Sequence, residues 1–132
     1  MTQDTKATLS TFFRRTPEVR LAILFGSLAG GTEGPESDAD IAVAGEKPLE
    51  TDIRMRLIES LAMALNRPVD LIDLRSAGYF VLRQALVHGE VVYCADRSIL
   101  ADVYRRMVFD AVDFAPYHRR ALAERRRAWI GI

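Results

Sequence analysis

The chain has 132 residues, 49% of them apolar, with 18 basic and 18 acidic side chains in balance at neutral pH. That length buries a real core as one domain, residues 1–132, without disulfide or metal staples, and a single cysteine, Cys94, excludes an internal disulfide framework. No apolar tract is long enough to span a membrane, and the first residues lack the basic-then-apolar order of a secretion signal; together these features favour the cytoplasm.

In chain order, Gln3 to Arg15 suits a helix with Leu9, Phe12 and Phe13 on one side and Pro17 as its stop. Val19 to Phe25 reads as a first strand, followed by a polar, glycine-rich excursion and a second strand from about Asp38 to Ala44. Ile53, Leu57, Leu61 and Leu65 form a four-residue stripe that marks a helix over 49–65 packed on the sheet, ended at Asn66-Arg67-Pro68. Val69 to Leu74 is a third strand, Ser76 to Val87 a helix, and Glu90 to Ala95 a fourth strand in which Cys94 reads as a buried, inert thiol. Ser98 is expected to cap a long helix with a buried stripe at Ile99, Val103, Met107, Val108 and Val112. Pro116 breaks it, and a basic helix follows from Tyr117 to Trp129, where Trp129 reads either as an interface anchor or as core. Strands alternating with helices give an α/β (α+β) fold: a mixed sheet of about four strands flanked by helices, with a helical tail over about 98–132.

The chemistry concentrates between Leu24 and Ala44. On a strand, Asp38 and Asp40 project from the same side while Ala39 and Ile41 go to the other. Two carboxylates so placed repel each other and raise one another's proton affinity unless a cation intervenes, and a hard divalent ion such as magnesium takes carboxylate oxygen and completes its shell with water and phosphate. Upstream, Gly26-Ser27 ends the first strand; a glycine there admits close backbone approach to an anion, and Ser27 adds donors for phosphate oxygens. Each half is a weak signal by itself. Their spacing, Gly-Ser-x10-Asp-x-Asp, is the specific feature. In the third strand Asp70 and Asp73 are an odd number apart, so only one of them can face Asp38 and Asp40.

Charge is unevenly distributed. From Thr32 to Asp52 there are seven acids against one base, whereas from Arg97 onward eight arginines face four acids. An acidic half and a basic tail suit an anionic substrate and a macromolecular partner. Arg83 and His88 match an R-x4-H spacing seen in HEPN ribonucleases, but such spacing arises often by chance on a helix, and His88 before Gly89, the expected helix stop, reads as a basic side chain suited to the helix C-terminus.

The Gly26-Ser27 pair with Asp38 and Asp40 resembles the signature of the nucleotidyltransferase superfamily related to DNA polymerase beta. The short chain and its Val69-Asp-Leu-Ile-Asp-Leu74 segment resemble the minimal nucleotidyltransferases that act as antitoxins beside HEPN-domain toxins. The resemblance implies that Gly26 and Ser27 hold the triphosphate of ATP. It implies that Asp38, Asp40 and a third carboxylate, Asp70 by its place after Val69, bind two Mg2+ ions, which leaves Asp73 to face solvent or to cap the next helix. The activity implied is transfer of AMP to a tyrosine hydroxyl of a HEPN ribonuclease toxin, in a hetero-oligomer that needs no nucleic acid or membrane. One position departs from the family: Gly30 stands where an arginine is usual, removing charge-assisted bonds to phosphate. A non-catalytic antitoxin that occludes its toxin, and transfer to a small molecule or RNA, are the alternative readings.

Overall fold

The computed structural model describes residues 3–26 and 38–112. Ser27, the loop to Ser37, the proline break and the Trp129 segment lie outside the described residues. Four strands form one sheet: β1 (Leu21–Phe25), β2 (Ala39–Ala44), β3 (Val69–Asp73) and β4 (Glu90–Cys94), in the order β3-β2-β1-β4. Helices α1 (Gln3–Arg14), α2 (Thr51–Leu65) and α3 (Tyr79–His88) intervene, and α4 covers 97–112. The expected α/β class and strand count hold, with boundaries shifted by a few residues; α3, for example, begins at Tyr79 rather than Ser76.

β1 pairs antiparallel with both β2 and β4, and β2 pairs parallel with β3. A parallel pair needs a crossover rather than a hairpin, and α2 supplies it. β1 is thus the one reversed strand, and its C-terminal end lies at the same end of the sheet as the N-terminal ends of the other three. Gly26, Asp40 and Asp70 gather there.

The two faces carry separate cores. Leu24, Ile41, Val43 and Leu71 pack with Leu9 and Phe13 of α1 and Leu57 and Leu61 of α2. On the opposite face Leu21, Ile23, Ala42 and Ala44 meet Leu82, Ala85 and Leu86 of α3 and Ile99 and Val103 of α4. The small Ala42 and Ala44 side chains of β2 let the second helical layer approach closely, while β1, central and covered on both faces, is buried at all five positions. α2 ends as expected, at Asn66 in the left-handed region with φ 53°. No helix among the described residues is long and apolar enough to cross a membrane.

Four local expectations are corrected. Asp73, read as a surface or capping residue, is only 5% exposed. Its carboxylate accepts the backbone N–H of Leu49 at 2.8 Å and of Arg75 at 2.9 Å, tying the approach to α2 to the end of β3. Asp96, not Ser98, caps α4: its Oδ1 accepts the Ser98 N–H at 2.9 Å and hydroxyl at 2.7 Å. The same two bonds hold its carboxyl below the usual range. Cys94 is exposed, because β4 is an edge strand and the apolar spelling of an edge does not imply full cover. Val108 and Val112 are 56% and 67% exposed, since at 100° per residue they lie far around the helix from the Ile99–Val103 stripe.

Replacing Asp73 by alanine strips a shared partner from two backbone amides in a buried place. The Asp73→Ala variant is expected to lose roughly 2–4 kcal/mol of stability, read as a lower urea midpoint with an unchanged slope; an unmoved midpoint would show the carboxylate to be dispensable.

Candidate active site

The site is assembled by strand register. Asp40 of β2 lies directly opposite Asp70 of the parallel β3 and opposite Phe25 of the antiparallel β1. Residues so paired project from the same face, so one row across the sheet reads Asp70, Asp40, Phe25. The next row on that face, Ile72, Ala42, Ile23, is apolar and belongs to the core with α3 and α4. The aspartates therefore crown a hydrophobic layer at one end of the sheet. Asp73 projects to the other face, so of the two candidates in β3 it is Asp70 that lies beside Asp40. Asp38 lies just before β2 and is exposed, yet close enough for its charge to act on Asp40.

Asp40 is the electrostatic centre. Its carboxyl is raised above the ordinary value, first by burial and then by the charges of Asp70 and Asp38. Phe25, 9% exposed, is the apolar neighbour in the same row, a member of the site that the sequence motif does not single out; its signal lies only in the pairing of β1 with β2. Gly26 closes the row with φ +78°. Its α-carbon faces Asp40 so closely that an added Cβ would lie 2.2 Å from Oδ2 of that aspartate.

The donor set suits a hard divalent cation. Asp40 and Asp70 offer carboxylate oxygens from one face, and the raised proton affinity of Asp40 reflects burial first and then repulsion by Asp70 and Asp38, both of which a cation would offset. Among the described residues no three acidic, histidine or cysteine side chains close around a single point.

A family model described as polymerase beta, nucleotidyltransferase matches residues 7–98, a stretch holding all four strands and all three aspartates. The chain belongs to the polymerase beta nucleotidyltransferase family. Within it, the chain is 40% identical over 77 residues to the protein adenylyltransferase MntA of Shewanella oneidensis. That match covers 58% of this chain and 55% of MntA, so the chain spans about half the length of that curated relative. Two solved toxin–antitoxin structures share the nucleotidyltransferase fold over nearly the whole chain. One, with AMP-PNP, has 29% identity and a TM-score of 0.66 over 96% of both chains. The other is a tri-AMPylated Shewanella oneidensis HEPN toxin in complex with an MNT antitoxin, with 28% identity and a TM-score of 0.62 over 99% of this chain and 97% of that one.

The raised Asp40 carboxyl gives a stability test with a definite sign. In metal-free buffer the folded state holds this proton more tightly than the unfolded chain, so the carboxylate lowers stability as pH rises through the folded pKa. Asp40→Asn, which keeps shape and removes charge, is expected to raise the melting temperature with chelator at neutral pH, and the gain should vanish in acid once the native carboxyl is protonated. A melting temperature that falls at neutral pH would contradict the repulsion.

Proposed function

We propose that this chain is the antitoxin of a HEPN/minimal nucleotidyltransferase pair, a cytoplasmic single-domain enzyme that transfers AMP from ATP to a hydroxyl, a tyrosine, of its partner HEPN ribonuclease toxin and thereby silences it. The observation that carries the reading is the row of Asp40 and Asp70 in register at one end of the sheet with Gly26 against it. A relative named as a protein adenylyltransferase and a related complex whose toxin carries AMP supply the acceptor class.

In this reading Asp38, Asp40 and Asp70 hold Mg2+, two ions in all, and Gly26 and Ser27 seat the triphosphate. Bound there, Mg2+ would neutralise phosphate charge and stabilise the charge that develops during transfer. Asp70 accepts the proton of the attacking tyrosine hydroxyl. The new bond joins that oxygen to the α-phosphorus of ATP; the bond from the α-phosphorus to the bridging oxygen breaks, and pyrophosphate leaves with the electron pair. The edge position of β3 supports this role for Asp70, because it leaves the carboxylate exposed where a macromolecular acceptor can approach. Asp40, between Phe25 and Asp70, is the more enclosed.

Intact-mass analysis of the partner toxin after incubation with this protein, ATP and Mg2+ tests the proposal. Mass increments of AMP are expected, lost in Asp38→Ala and Asp40→Ala. Ser27→Ala is expected to raise the KM for ATP by roughly tenfold, the worth of one hydrogen bond to a charged group. A tight complex with no change in toxin mass would instead identify an occluding antitoxin and direct attention to Gly30.

A further inference from the structure

Gly26 carries a constraint that a phosphate-binding role does not explain. A Cβ built on it would lie 2.2 Å from Oδ2 of Asp40, 3.1 Å from Cγ and 3.3 Å from Cβ. Rotating the carboxylate about its Cβ–Cγ bond could move Oδ2 aside, but Cγ lies on that axis and stays where it is. To relieve the Cγ contact as well, the side chain would have to give by a few tenths of an ångström about Cα–Cβ, so the carboxylate would leave the position it holds beside Asp70. The contact is between the residue that follows β1 and the start of β2, both central strands with buried neighbours, so on the strand side the backbone has little room to yield.

We propose that Gly26 is a positioning residue for Asp40: its missing side chain is the space in which that carboxylate sits, and the glycine thereby sets the affinity for a divalent cation before any nucleotide is bound. The inference rests on Asp40 holding the cation, as proposed above, and adds a separate duty for the glycine. A glycine needed only for close approach of phosphate would matter when nucleotide is present. A glycine needed to seat Asp40 matters in its absence.

Two variants separate crowding from backbone strain. Gly26→Ala adds a Cβ and also strains a backbone at φ +78°, whereas Gly26→Asn adds the same Cβ on a residue that tolerates the left-handed region better. Mn2+ binding to the nucleotide-free protein, followed by electron paramagnetic resonance, is the readout. Both variants are expected to bind Mn2+ at least roughly tenfold more weakly than the unmodified protein, the usual cost of disturbing a residue that orients a metal ligand, and to approach Asp40→Ala. Affinity within about twofold of the unmodified protein in Gly26→Asn, well short of the loss expected for a disturbed ligand, would overturn the inference while leaving Asp40 as a ligand. No Mn2+ binding by the unmodified protein would overturn both this inference and the metal assignment beneath it.

Thermal melts give a second reading that needs no metal. The melting-temperature loss caused by Gly26→Asn should shrink by about half or more in an Asp40→Ala background, because the two side chains then no longer compete for one space. Equal losses in both backgrounds would overturn the contact.

Discussion

The parallel register of β2 on β3 is the constraint on which this molecule depends. It brings Asp40 and Asp70 side by side, and like charges so close oppose the pairing that aligns them. Much of the structure at the other end of these strands counteracts that opposition. The Leu74 N–H donates to the Val43 carbonyl at 2.8 Å, Asp73 ties β3 to the segment before α2, and Arg75 Nε donates to the Gly45 carbonyl at 2.9 Å. Arg54 of α2 donates to the Leu71 carbonyl within the strand, and Arg106 of α4 donates to the carbonyls of Arg75 and Ala77. The edge strand is thus held by the helical layers of both faces.

Charge and apolar surface share one face of the sheet without mixing. The carboxylate row stands one step beyond the Ile72, Ala42, Ile23 row, so the same side-chain alternation that builds the α3–α4 core also aims Asp40 and Asp70 outward at its rim. Burial of part of the Asp40 environment strengthens electrostatic effects there relative to water. A cation placed against it gains from the same low polarity that penalises the uncompensated carboxylate.

Glycine serves this arrangement at two different ends of chain segments. At Gly26 the absent Cβ makes room for a carboxylate. At Gly89 it allows α3 to turn directly into β4, since a Cβ there would meet the Ala85 carbonyl at 2.3 Å and Ile23 Cγ2 at 2.6 Å. Gly89 is in extended backbone, so space rather than a left-handed conformation is what the position requires. The helix stop expected there holds, for a steric reason.

Local pattern alone located the strands, the helices and the carboxylates. The apolar run into Phe25, the Ile53–Leu65 stripe and the Asp-x-Asp spacing are short-range signals that survive folding, because side-chain period and chain punctuation act over a few residues. The choice of Asp70 over Asp73 followed in part from parity, since the two must face opposite ways, and in part from resemblance to a family. What the sequence could not reach were facts that depend on which segments become neighbours. The buried role of Asp73, the exposure of Cys94 on an edge, the split of the α4 apolar residues between two faces and the presence of Phe25 beside Asp40 all arise from pairings across the sheet. By itself the sequence determined which carboxylates are candidates for the chemistry and on which kind of element they sit; only the tertiary structure decided that Asp40 stands between Asp70 and Phe25 with Gly26 against it, because register between distant strands is set by the packing of both faces at once.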